Sequence, residues 1–159
     1  MKKSFTLIEL MVVIAVIGVL SAVLVPSISG LVDKARVAAA QQVVKTVANA
    51  ARALFLDTGL WPGGPNEADT TGRNMNAAAY GLINTDGRYG SAWQGPYLDK
   101  AIGLDPWQRD YIYDGGGAEH RQIGQACFIS YGQDGVNNGS VNNTSLQAQG
   151  DDIVEYLNQ

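Results

Sequence analysis

Few residues in this chain are of a type that does chemistry, and the most conspicuous is an acid in the wrong place. Glu9 is the one charged residue in FTLIELMVVIAVIGVLSAVLVPSI, positions 5 to 28. A carboxylate held in lipid costs a few kcal/mol, so an acid there calls for a counter-charge or a route to the headgroups. No basic residue lies in the apolar run to supply that charge in cis. The chain has one cysteine, Cys127, and one histidine, His120. Single copies exclude a disulfide within the chain and argue against zinc or iron sites built from several Cys or His ligands. Cys127 alternates into an apolar strand and reads as a small buried hydrophobe. His120 follows a glycine turn beside Glu119 and is expected to be exposed, with no nucleophile or base recognisable near it. Gly115 to Gly117 lacks the Lys or Ser/Thr context of a phosphate loop. The net charge of -4 repels phosphate backbones, so no nucleic-acid partner is expected.

The elements that must position these residues are uneven in character. From Leu10 to Val25 the apolar run is interrupted in polarity only by Ser21. At about 1.5 Å per helical residue, the segment from 5 to 28 reaches roughly 36 Å, enough for a hydrocarbon layer of about 30 Å. Lys2 and Lys3 precede it, which places the N-terminus in the cytoplasm and the bulk of the chain across the membrane. A cleaved secretory signal is the alternative; its site would be Leu20-Ser21-Ala22, where Leu20 is too large for the outer small-residue position. Pro26 and Gly18 are weak points in the helix. Beyond them, Val37, Ala40, Val43, Val44, Val47, Ala50, Ala51, Leu54 and Phe55 recur at spacings of three and four. Lys34, Arg36, Gln41, Gln42, Lys45, Asn49 and Arg52 largely fill the other face, so residues 29 to 58 read as an amphipathic helix that ends at Gly59 and Pro62.

From Gly59 onward lie 17 of the 19 glycines and four of the five prolines. Residues 110 to 114, 123 to 131 and 152 to 157 are rich in aromatic and β-branched types between turn residues and predict three antiparallel strands, with Asp114 to Gly117 turning the first pair. The sheet needs a cover, and the Val43 to Phe55 stripe is the long one available, so the fold class is α+β: a long N-terminal helix packed on a small sheet. Asp105-Pro106-Trp107 reads structurally, with Pro106 restricting Asp105 to extended conformations and Trp107 covering the core edge. Trp61 and Trp93 read as loop anchors. Residues 57 to 159 hold 13 acids and 5 bases, whereas residues 33 to 52 hold one acid and four bases. That layout suits contact between the helix of one copy and the head of another, or else a solvated charged surface.

Lys2-Lys3-Ser4-Phe5-Thr6-Leu7-Ile8-Glu9, followed by the unbroken apolar helix, resembles the processing and assembly signal of type IV pilins and pseudopilins. The resemblance implies that a prepilin peptidase cuts between Ser4 and Phe5, removing the leader 1 to 4, and that the new amine of Phe5 is methylated. The family usually has Gly where this chain has Ser4. It also implies that Glu9 pairs with the Phe5 amine of a neighbouring subunit, fixing axial register, with Ala15, Gly18 and Ala22 permitting close helix approach. Snorkelling of Glu9 to the headgroups remains the alternative.

Gly95-Pro96-Tyr97-Leu98, Asp105-Pro106-Trp107, Tyr111-Ile112-Tyr113, Ser130 to Gly135 and Asp151-Asp152-Ile153 resemble the major, G-type, pseudopilins of type II secretion systems. Those proteins hold their C-terminal loop with calcium. Carried over, the ligands are the backbone carbonyls of Tyr131 and Val136 and the side chains of Asp134, Asp151 and Asp152. The residue types suit the ion, since calcium takes six to eight oxygens and three gathered aspartates need a cation. Exposed turn carboxylates are the alternative. Between Val136 and Asp151 this chain carries 14 residues, more than the pattern has, from which Asn137 or Asn138 could be an extra ligand.

The expectation is therefore a structural subunit, not an enzyme. It would be stored in the inner membrane with its head, 59 to 159, in the periplasm, and polymerised with copies of itself and minor pseudopilins on an inner-membrane assembly platform to help export folded proteins. A type IV pilus subunit serving adhesion, motility or DNA uptake is the alternative. A single-pass anchored enzyme or ligand-binding module is a third reading, one that would need a pocket with convergent polar groups.

Overall fold

Alanines and leucines favour helix in the N-terminal third despite its many valines and isoleucines, and in the computed structural model it is a single 52-residue helix, α1, Leu7–Thr58. The structure describes residues 5–63, 75–115, 126–139 and 147–157, with the side chains of 23–27 and 79 left out. The Ser4 side of the cleavage point, the glycine turn after Gly115, and His120 with Glu119 lie outside the described residues. The chain divides into two compact units, Met1–Arg36 and Val37–Gln159.

In the first unit, α1 continues through Pro26. Its large apolar side chains are exposed from Leu7 to Leu20, Leu7 by 75% and Val19 by 68%. A Cβ added at Gly18 would meet nothing. Among the described residues no helix is long and apolar enough to cross a membrane; the apolar run passes into positions 23–27, whose side chains are outside the description. Arg36 pairs with Asp33 at 3.4 Å on this stretch.

In the second unit the helix buries one stripe: Ala40, Val44, Val47, Ala48, Ala50, Ala51 and Leu54. Val37 and Phe55, expected on that stripe, stay partly exposed, and Phe55 instead stacks on Trp61 with ring centroids 4.3 Å apart. Arg52, expected on the polar face, reaches β3, donating to Glu155 at 3.1 Å and to the Tyr156 carbonyl at 2.8 Å. The helix stops where Gly59, at φ 70°, donates its N–H back to the Phe55 carbonyl, a left-handed cap that glycine adopts without strain.

Three short strands form the sheet: β1, Ile112–Asp114; β2, Cys127–Ser130; β3, Ile153–Tyr156, antiparallel in the order β1-β2-β3. The register sets Tyr113 against Phe128 and Phe128 against Glu155. Strand alternation then puts Tyr113, Phe128 and Ile153 into one cluster with the α1 stripe. Tyr113 and Phe128 are 5.0 Å apart and fully buried, each contributing about 1.5–3 kcal/mol of apolar burial. The other face, with Ile112, Cys127, Ile129 and Tyr156, is buried too, which explains why these strands read as continuous apolar runs and not as alternating ones. The strands are shorter than the sequence pattern. Residue 110 lies outside the ladder because its partner position falls at Tyr131, where the chain turns and Gly135 donates to the Tyr131 carbonyl at 3.0 Å, and Tyr111, opposite Ser130, adds no further pair; residues 123–125 lie outside the description. The long segment between α1 and β1 contains two 3₁₀ turns, Ala78–Tyr80 and Gly90–Ala92. Trp93 anchors this segment by donating its indole N–H to the Gly81 carbonyl at 2.7 Å.

Candidate functional site

The strand β2 ends at Ser130 because Gly132, at φ 60°, turns the chain back, and this turn carries the first half of the predicted calcium set. Asp134 caps its own turn: its Oδ1 accepts the N–H of Val136 at 2.7 Å. Its backbone N–H donates to Asp151 Oδ2 at 2.9 Å, and that bond holds the Asp151 carboxyl below the usual carboxylate range. Asp151 and Asp152 arrive just ahead of β3, where Asp152 Oδ2 accepts the N–H of Asn138 at 2.9 Å. The Asn138 side chain completes the set, its Nδ2 donating to Asp134 Oδ2 at 3.4 Å and its Oδ1 accepting the Asp151 N–H at 3.3 Å. Asp134, Asp151 and Asp152 are thus gathered, with the Tyr131 carbonyl at the start of the same turn and Val136 at its exposed end. Gly132 is what allows the approach, since a Cβ there would overlap the backbone carbonyl of Asp151.

The donor set is all oxygen and suits a hard cation. As they stand, however, the carboxylates face amide hydrogens, and among the described residues no group of three or more His, Cys, Asp or Glu side chains could hold a metal together.

Behind the turn sits a strut that the sequence reading passed over. Asp105 is 1% exposed. Its Oδ1 accepts the N–H groups of Trp107 at 3.0 Å and Arg109 at 2.8 Å, and its Oδ2 accepts the Ser130 hydroxyl at 2.7 Å. Arg109 then donates to the carbonyls of Gly132 at 2.6 Å and Gln133 at 3.1 Å. A Cβ at Gly135 would strike that guanidinium. The Asp-Pro motif marked the turn, and Trp107 does pack against the core. What the motif did not signal is that Asp105 is a buried acceptor joining this turn to β2, or that Arg109 clamps the segment carrying Asp134.

At the other end of the chain Thr6 and Glu9 form a reciprocal cap on α1. The Thr6 N–H and hydroxyl donate to Glu9 Oε2 at 2.9 and 2.7 Å, and Thr6 Oγ1 accepts the Glu9 N–H at 3.3 Å. This is the capping box T-x-x-E, a signal carried in the sequence by Thr6-Leu7-Ile8-Glu9. It gives Glu9 polar partners in cis through one oxygen, Oε2. Phe5 is exposed by 74%. Of the cavities described, one of about 230 Å³ is lined by Met75, Asn76, Ile102, Gly103, Leu104, Asp110 and Tyr111. It falls short of the usual ligand pocket of about 300–1,000 Å³.

Comparison with known proteins bears on both ends of the molecule. A family model described as type II secretion system (T2SS), protein G, matches residues 27–149, and one for the prokaryotic N-terminal methylation motif matches residues 1–25. Type II secretion system core protein G of Pseudomonas aeruginosa is 29% identical over 91% of this chain and 93% of its own length. The protein of the same name from Klebsiella michiganensis is 33% identical over 85% of this chain and 86% of its own. The fimbrial protein of Neisseria meningitidis is 38% identical, but over 43% of this chain and 40% of its own. No solved structure matches.

Proposed function

This chain belongs to the type II secretion system protein G family, and from that membership we propose that it is a pseudopilin, a structural subunit whose N-terminal helix polymerises into the pseudopilus that helps export folded proteins. The observation that carries the reading is the run of exposed apolar side chains from Leu7 to Leu20, which nothing among the described residues of that unit covers. Such a surface needs lipid or other helices. The open space at Gly18, between the exposed Ala15 and Ala22, suits the second kind of neighbour. The pilus-subunit alternative is less well supported, because the fimbrial relative matches under half of the chain.

On this reading a prepilin peptidase cuts between Ser4 and Phe5 and the Phe5 amine is methylated. The subunit waits in the inner membrane, N-terminus inward and head in the periplasm, until an assembly platform adds it to a filament that also contains minor pseudopilins. Glu9 keeps Oε2 on Thr6 and offers its second oxygen to the Phe5 amine of a neighbour. Mass analysis of the mature protein tests the assignment: loss of Met1 to Ser4 with gain of one methyl group is expected, and an intact or differently trimmed N-terminus refutes it. Glu9→Leu should insert normally and fail to form regular filaments; normal filaments from this variant would refute the pairing.

Calcium belongs to the same proposal. The carbonyls of Tyr131 and Val136 and the carboxylates of Asp134, Asp151 and Asp152 would hold it, and the ion would cross-link the turn after β2 to the segment entering β3. A Tm of the full chain in detergent that rises with millimolar calcium and falls back with chelator is expected; a Tm indifferent to both refutes the site.

A further inference from the structure

We propose that Arg52 closes the outer edge of the sheet, an autoinhibitory contact that keeps β3 of one copy from pairing with β3 of a second copy. The order β1-β2-β3 leaves β3 with one edge that no strand among the described residues covers. Leu157 donates its N–H to the Ala126 carbonyl at 2.8 Å. Bonding alternates along an antiparallel ladder, so Glu155 and Ile153 also bond inward to β2, while Val154 and Tyr156 turn their N–H and C=O groups outward. Ile-Val-Glu-Tyr is rich in β-formers, and outward groups on such a run are a template for another strand. On the pseudopilin reading, a second copy is the strand donor this chain always meets. That the closure leaves the helices as the joint between copies rests on that reading; the closure itself does not.

Three bonds make the closure. Arg52 Nη2 donates to the Tyr156 carbonyl at 2.8 Å and to Glu155 Oε1 at 3.1 Å, and Nη1 donates to Asn49 Oδ1 at 3.1 Å, one turn back along α1. Asn49 aims the guanidinium and Glu155 holds it, so an outward carbonyl that a second strand needs is already bonded. A guanidinium serves these acceptors from two nitrogens of one planar fork, which the single point of an ammonium does not match. The Arg52 and Glu155 side chains are 32% and 26% exposed, so water screens this pair less than a fully exposed one. Two turns further back, Lys45 joins Gln41 and Val44 in the helix wall of a cavity of about 290 Å³ whose other wall includes Val154. A lysine beside a sheet edge is a second deterrent, because an entering strand buries its charge.

The test uses the full chain in detergent, in a Cys127→Ala background, with Val154→Cys as the reporter. Pairing centred on Glu155 sets two like charges opposite each other, and pairing centred on either strand end forfeits most of the ladder, so the favoured register is centred on Val154. It brings the two 154 positions to a Cα separation of about 5.5 Å, within disulfide range. With Arg52 in place, oxidation should give little dimer. Arg52→Ala should raise the disulfide dimer at least about tenfold, which the loss of one charge-assisted hydrogen bond permits. A cysteine placed instead at the exposed Ala92 should not respond. Tryptophan fluorescence melts establish that each variant is folded; if Arg52→Ala is not, Arg52→Lys, which keeps the charge but lacks the fork, is scored by the same rule. An unchanged dimer yield at 154 in the folded variant overturns the closure. So does an equal rise at 92, the mark of general loosening, or abundant dimer with Arg52 in place. If wild type forms no filaments the pseudopilin reading falls, while the disulfide comparison still decides the closure.

Discussion

Asp105→Ala should be among the most damaging single changes in the head outside its aromatic core. The carboxylate is 1% exposed and holds three donors, the N–H groups of Trp107 and Arg109 and the hydroxyl of Ser130, itself fully buried. Stranding one buried donor costs about 1–3 kcal/mol, and the two amides, each about 1 kcal/mol, are nearer to water and partly recover. The sum is about 3–5 kcal/mol, a large share of the roughly 5–15 kcal/mol that holds a domain together. For a domain of this size that is a Tm lower by about 12–20 °C. Asp105→Asn separates hydrogen bonding from charge. It keeps the oxygen that serves both amides, and Ser130 can reverse to accept from the new NH₂ group, so the cost should be about 1 kcal/mol. Intrinsic fluorescence is the assay, because all three tryptophans lie beyond residue 59 and report the head and not the apolar helix. Because Arg109 follows Asp105 in the same turn and grips Gly132 and Gln133, exchange in peptides covering 131–136 should also quicken in Asp105→Ala. A melt within about 3 °C of wild type, or equal losses in the two variants, would refute the strut.

Other consequences follow from packing. Gly132→Ala forces a side chain into a left-handed backbone and onto the Asp151 carbonyl and should cost at least ~2 kcal/mol, whereas Gly103→Ala meets open space and should change the denaturation midpoint little. Burial pushes the Cys127 thiol up to about 12, with the charges of Asp114 and Asp152 adding to it, so a disulfide reagent at pH 8 should label the native protein only as fast as it opens; immediate stoichiometric labelling would contradict the core position. Tyr111 and Tyr156 are likewise pushed to about 12, chiefly by burial. Since both folded values are raised, their contribution to stability is intact below the unfolded tyrosine pKa of about 10 and is lost as pH rises from there through about 12. Absorbance titration should show these two ionising late and together with unfolding, and a single step near pH 10 for all seven tyrosines would count against it.

The long helix was legible because its signal is local and repeated. A run of sixteen residues from Leu10 to Val25 and a three-four stripe beyond it each report one helix face, and Gly59 marks the stop in the sequence as it does in space. Strand positions were legible for the same reason, though their ends were not. Where a ladder stops depends on when the partner turns, and Gly132, a residue distant from β1 in the chain, turns away the stretch that position 110 would have paired with. The capping box at Thr6 and Glu9 was legible and missed.

The sequence by itself determined that Glu9 is an acid without a basic partner in its apolar segment, that Cys127 sits in an apolar strand, and that three aspartates flank a long polar stretch. These follow from composition and spacing along one dimension. Only the tertiary structure decided which groups those acids meet: Asp105 with Ser130 across 25 residues, Arg109 with the Gly132 carbonyl across 23, Asn138 with Asp152 across 14. Such pairings are set by the antiparallel register and by left-handed glycines that bring separate turns within 3 Å, and a hydrogen bond leaves no periodic trace in the residues that make it.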